Sequence, residues 1–262
     1  MTGSQLLKHS FGMIERNIGT AMRISLVLFL VSLALQVGMI VWMGAKAAVV
    51  ANQGTAISVF ASYIPSFTTL FLGAWVAVAW HRFVLLEEHN GGWLPHFHGR
   101  EVMFYILWIV VLGLIYIVLI LPLIFFFVTV AVGVEGGDTF SPATVALLAL
   151  AGVVTMFVIV VVLSRLSPVL VSRAVSNRLS LTEAWRATRG ASKPIIGFML
   201  IMLLFLVVFG VVVSLIVMAL KTAGLVLVVP IYLLFTWFLM LLQISYMTTL
   251  YGHYVEGREL TL

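Results

Sequence analysis

Cysteine is missing from all 262 residues. That excludes a disulfide framework, a thiolate nucleophile and any thiolate metal site. Charge is nearly as scarce: Asp, Glu, Lys and Arg together make up 9% of the chain, against roughly 25% in soluble domains. Asp138 is the sole aspartate. There is no Walker loop, no dinucleotide fingerprint and no nucleophile elbow, so the sequence gives no support to nucleotide or acyl-transfer chemistry. The first twenty residues lack both a compact apolar core and a small-residue cleavage site, so no cleaved signal peptide is expected there.

What the chain has instead is apolar length. Hydrophobic residues make up 63% of it and its mean hydropathy is +1.22. A bilayer core about 30 Å thick needs roughly 20 apolar helical residues. Runs of that kind occur at about residues 21–44, 57–80, 102–134, 144–164, 195–220 and 225–247. The expected fold is therefore all-α, a polytopic bundle of six transmembrane helices forming a single membrane domain over residues 1–262. The third run is too long for one perpendicular span and should tilt, kink near Pro122 or extend past the interface.

Positive charge orients such a bundle. Lys8, Arg16, Arg23, Arg82, Arg100, Arg165, Arg173, Arg178, Arg186, Arg189, Lys193 and Arg258 fall on one side of the expected spans, and only Lys46 and Lys221 on the other. Both termini are accordingly expected in the cytoplasm. The net charge of +5 then serves topology and anionic headgroups rather than nucleic acid. All six histidines also fall on the cytoplasmic side, while Asp138 lies on the opposite one, so a Ser-His-Asp triad cannot assemble.

Two cytoplasmic stretches hold the candidate site residues. In SLTEAWRATRGASKP, Ser180 and Glu183 form a capping-box pattern, and Gly190 and Pro194 close the segment. This predicts a short amphipathic interfacial helix over residues 181–190, between spans four and five. Trp185 would lie in the headgroup zone with Arg186 and Arg189 near phosphates, and Arg165 and Arg173 would pair with headgroups or loops. The second stretch, VLLEEHNGGWLPHFHGRE, concentrates Glu87, Glu88, His96 and His98. A metal shell is conceivable from them, but the spacing lacks a helical HExxH or any cysteine pair, and Gly91, Gly92, Pro95 and Gly99 mark a turn. A solvated cap is the better account of the stretch. Adjacent glutamates would point about 100° apart on a helix and make a poor acid–base couple.

RLSPVLVSRAVSNRLSLTEAWRATRG, residues 165–190, followed by an apolar span, resembles the signature of six-helix bacterial inner-membrane proteins of the YciC type. A similar module anchors some membrane-bound glycerophosphodiester phosphodiesterases. The resemblance implies a bacterial inner-membrane anchor or accessory role and carries no catalytic residues; no soluble segment of this sequence is long enough to be the phosphodiesterase domain. A fainter echo relates AWHRFVLLEE (79–88) to LYGHYVEGRE (250–259). It fits either a parallel duplication of hairpins or convergence of two similar membrane exits.

No span carries a central ionisable residue, which removes the usual mark of ion-coupled transport. Gln36, Gln243 and the hydroxyls of SYIPSFTT (62–69) are the intramembrane polar set, suited to helix packing. The leading expectation is a non-enzymatic accessory, scaffold or envelope-homeostasis protein without a cofactor. Its partners would be membrane phospholipids and a membrane-protein partner or a second copy. A small transporter or lipid-handling protein using the hydroxyl-rich second span ranks next, and a metal-dependent membrane enzyme third.

Overall fold

The computed structural model describes residues 1–49, 56–89, 91–133 and 141–260. Among them all regular structure is helical: α1 (Gly3–Arg16), α2 (Ile18–Val49), α3 (Ala56–Leu86), α4 (Gly99–Gly133), α5 (Pro142–Leu166), α6 (Pro168–Ala174), α7 (Leu181–Ala187) and α8 (Ser192–Tyr254). Among the described residues five helices are long and apolar enough to cross a membrane, over Ile18–Trp42, Ser66–Leu86, Gly99–Val130, Pro142–Ala174 and Ser192–Tyr254. The chain is thus a multi-pass helical membrane protein by length and composition. The end of the expected span 102–134 and the loop after it lie outside the described residues, and α4 runs through Pro122 without interruption.

The expected spans 195–220 and 225–247 fall within one element, α8, of 63 residues. A straight helix of that length would reach about 95 Å, three times the hydrocarbon thickness. The backbone instead leaves helical geometry at Lys221 (φ 50°, ψ −125°), and the two arms fold back on each other. Phe209 stacks on Phe235 with centroids 3.6 Å apart. At the turn a Cβ on Gly224 would stand 2.8 Å from the Ile216 carbonyl oxygen, so only glycine admits this approach.

Two further helices were not expected. α1 starts at a Thr2/Gln5 capping box and docks on the beginning and end of α8. Gly3 sits so close to Gly197 that a Cβ there would be 2.5 Å from the Gly197 carbonyl carbon. Ser10 Oγ lies 3.1 Å from Thr249 Oγ1, and Leu6 is fully buried between them. α6 arises because Pro168, with no N–H to lose at a first-turn position, restarts the helix after Ser167. Arg173, expected in a loop, is therefore helical, and Arg165, also expected there, lies in the last turn of α5.

The core gathers at one end of the bundle, around Ile14, Ile24, Trp80, Val102, Leu170 and Leu241. Here His81, fully buried, is held between α3, α8 and α4: its Nδ1 is 2.8 Å from Thr248 Oγ1 and its Nε2 3.3 Å from Tyr105 Oη. It is a satisfied core residue and not part of a solvated loop. Trp237 Nε1 donates to Ser25 Oγ at 2.9 Å, about three turns of α8 away from Thr248. Towards the opposite end the side chains are exposed and apolar, as at Phe125 (71%) and Met218 (73%).

Candidate functional site

The basic segment is built on α5 and α7. Ser180 Oγ accepts from the Glu183 amide at 3.2 Å, and Glu183 Oε2 accepts from the Ser180 amide at 2.8 Å, so the capping box is complete. These bonds from Ser180 favour the ionised carboxylate and hold Glu183 below the ordinary carboxyl range. The helix is shorter than 181–190, because the backbone leaves helical geometry after Ala187.

Arg165, in the last turn of α5, reaches across to α7. Its guanidinium carbon lies 3.5 Å from the Trp185 ring centroid, and Nη2 donates to the Trp185 carbonyl at 2.7 Å. Thr188, fully buried, returns the link by donating to the Arg165 carbonyl at 3.1 Å. A cation–π contact at a part-exposed site is worth about 0.5–1 kcal/mol, and it adds to the capping box and these hydrogen bonds in holding a seven-residue helix that could not persist alone. Trp185 remains 40% exposed, and Arg186 and Arg189 on the same segment are exposed. Arg165 and Arg189 repel each other electrostatically, and among the described residues no carboxylate pairs with either.

Arg173 does a different job. Its guanidinium lies over Trp108 at 4.9 Å and Nη2 donates to the Leu179 carbonyl at 3.1 Å. It therefore ties α4 to the loop entering α7. Asn177 and Ser176 in the same loop bond Tyr251 and Glu101.

The His/Glu stretch does not simply project into solvent. After α3 ends, the chain doubles back along it, so that Phe97 packs against Trp75 (5.0 Å between centroids) and Phe71 (5.9 Å). Trp75 is twelve residues before Glu87, about 18 Å along a helix. Glu88 pins the return: Oε2 accepts from Arg82 at 2.7 Å and Oε1 lies 3.1 Å from His98 Nε2. Arg82 also donates to the Ala174 carbonyl. Glu87 adopts positive φ, and its carbonyl lies 2.7 Å from His89 Nδ1. His96 and His98 stand 5.8 Å apart as rings. The structure thus unites Glu88 with His98 but commits that carboxylate to an arginine. Among the described residues no group of three or more His, Asp or Glu is placed to hold a metal ion.

The hydroxyl-rich second span pairs with the first: Thr69 Oγ1 is 3.3 Å from Ser32 Oγ, to which Gln36 also donates at 3.2 Å. A groove of about 920 Å³ runs between α5 and both arms of α8. Its walls are apolar, with Met156, Met202 and Leu203 among them, and its polar groups are Ser164, Thr236, Gln243 and Tyr246. Gln243 was legible as an intramembrane polar residue; the groove was not, since it depends on how α8 turns at Lys221.

Comparison with protein-family models, with curated proteins and with solved structures gave no match.

Proposed function

We propose that this chain is a non-enzymatic accessory or scaffold protein of a bacterial inner membrane, acting through lipid contacts at its basic end. In this reading the two arms of α8 are separate spans, making six in all, and both termini lie in the cytoplasm. α7 lies in the interface, and the YciC-like segment 165–190 is the contact element. The observation that carries the reading is the Arg165–Trp185 pairing, which leaves Trp185 40% exposed beside Arg186 and Arg189, neither of which forms a salt bridge among the described residues. Aromatic and arginine side chains arranged this way suit a headgroup layer. A lipid-handling role is the second reading, favoured by the groove beside α5.

Two experiments test this. Arg186→Ala with Arg189→Ala should lower the enrichment of anionic over zwitterionic lipid around the protein in mixed nanodiscs; unchanged enrichment removes the assigned role. Because the chain has no native cysteine, single cysteines at Lys221 and Arg258 can be labelled with an impermeant maleimide in intact cells. Labelling at Lys221 alone supports the six-span reading, and equal protection of both sites contradicts it.

A further inference from the structure

The groove between α5 and the arms of α8 is apolar along most of its length and polar at one end. On α5 its wall is a stripe of residues four apart, Met156, Val160 and Ser164. Ser164 directly precedes Arg165, the first charge after the apolar run of α5. Gln243 and Tyr246, three apart on the second arm of α8, line the groove from the opposite side. No Asp, Glu, Lys, Arg or His is among the described residues that line it.

The polar end holds hydrogen-bonding capacity that the protein does not use. Tyr246 is 2% exposed and its ring stacks on Phe198 at 4.4 Å, yet its buried hydroxyl has no hydrogen-bond partner among the described residues. Ser164, also buried, faces that hydroxyl from α5 without closing a bond to it. The Gln243 side chain is exposed in the groove and bonds to none of the described residues. Thr236, ten residues before Tyr246 on the same arm, is by contrast satisfied, donating to the Leu233 carbonyl at 3.0 Å. These groups lie in segments long and apolar enough to cross a membrane, where hydrocarbon offers an unpaired polar group no substitute partner.

We propose that the groove binds one uncharged glycerolipid. Its free hydroxyl and ester carbonyls bond to Tyr246, Ser164 and Gln243, and its acyl chains lie against Met156, Met202 and Leu203. The proposal rests on the lipid-handling reading above and adds to it the class of lipid. The lining selects the occupant. A phosphate at this end would lose its water with no cation in the lining to receive it. A plain hydrocarbon would fill the walls and leave the polar groups unpaired. A hydroxyl head both donates and accepts, as do Tyr246, Ser164 and Gln243. The groove volume of about 920 Å³ lies in the range of about 300–1,000 Å³ typical of small-ligand sites.

The test is native mass spectrometry of the detergent-solubilised full chain after incubation with dioleoylglycerol or with dioleoylphosphatidylcholine, which carries the same chains. One dioleoylglycerol should remain on the wild-type protein in clear excess over the phosphatidylcholine. Tyr246→Phe keeps the ring on Phe198 and removes only the hydroxyl, so it should cut that preference about fivefold, the effect of one neutral hydrogen bond. The same variant should melt no lower than wild type when free of lipid, because its hydroxyl has no bond to lose there. A lower melting temperature would mean that the hydroxyl is bonded within the protein, and an unchanged preference would mean that water serves it; either overturns the proposal. Met156→Trp, at a side chain 47% exposed, should lower retention of both lipids. Undiminished retention in that variant puts the lipid elsewhere and takes the lipid-handling reading down with the site. Equal retention of the two lipids by the wild-type protein overturns the choice of lipid class while that reading stands. A dimer dissolved by Met156→Trp would put a second copy in the groove and also overturn the proposal.

Discussion

The two ends of this bundle obey different rules. At the basic end, α1, α6, the end of α3 and the end of α8 enclose Leu6, Trp80, His81 and Leu241 completely. Buried polar side chains there bridge helices, as in His81 with Thr248 and Tyr105. At the far end Val118, Phe125, Val226 and Met218 stand more than half exposed, with few side-chain bonds between helices. Water would not tolerate such a surface, but lipid tails cover it at no cost, since they are as apolar as leucine. Packing is therefore needed only where the chain leaves the hydrocarbon and must bury apolar surface from water or satisfy polar groups. Tertiary specificity in this fold is concentrated at one interface with the membrane.

That contrast is open to attack. The largest effect should come from the α1–α8 seam. Gly197→Leu would drive α1 off its seat, since even a Cβ there stands 3.2 Å from Gly3 Cα. Leu6→Ala should cost about 2–5 kcal/mol, the usual penalty for emptying a filled core site. Met218→Ala at the far end should change stability by less than about 0.5 kcal/mol. Thermal unfolding in detergent compares the three, and a far-end loss equal to that of Leu6→Ala would dissolve the distinction.

An intermediate effect is expected at Arg165. Arg165→Ala removes the ring contact and the bond to the Trp185 carbonyl, together about 1–2 kcal/mol of local stability. Hydrogen exchange should accelerate over α7 while the amides of α1 and α3 keep their protection. A uniform loss of protection would instead make the segment part of the global core.

The smallest effect is a pH dependence in α7. Glu183 is held below the ordinary carboxyl range in the folded chain. Its capping contribution is therefore present above the unfolded pKa and is lost as pH falls through the depressed folded value. Exchange at the Glu183 amide should quicken in that acidic window, and Glu183→Gln, which keeps a capping-box side chain, should flatten the response.

Much of this architecture was written in the residues. Charge-free runs of about 20 residues marked the long helices, because a bilayer makes a charged side chain costly over that distance. Ser180 and Glu183 marked the start of α7, because a capping box is a local bond pattern. α1 was missed for the opposite reason. Its apolar positions Leu6, Met13 and Ile14 are interleaved with Lys8, Glu15 and Arg16, so hydropathy averaged over the segment hides it. The helical spacing of those three side chains and the Thr2/Gln5 box were the available signals. The return of residues 91–98 along α3 was not readable at all, since it rests on Phe97 finding Trp75 and Glu88 finding Arg82 and His98. Of the candidate site, the basic residues were visible as types. Their division of labour was not: Arg165 braces Trp185, Arg173 bridges Trp108 and Leu179, and Arg186 and Arg189 face outward. Such roles depend on which neighbours arrive in three dimensions.

The seam between α1 and α8 also sets an order of events. Ser10 meets Thr249 across 239 positions of sequence, so the bed for α1 does not exist until the closing turns of α8 have left the ribosome. During synthesis the spans enter the bilayer one after another while the amphipathic α1 waits at its surface, its apolar stripe resting among headgroups. α1 is thus made well before the bed that seats it, and a nascent chain stalled within the second arm of α8 would display α1 to any protease or chaperone patrolling that face.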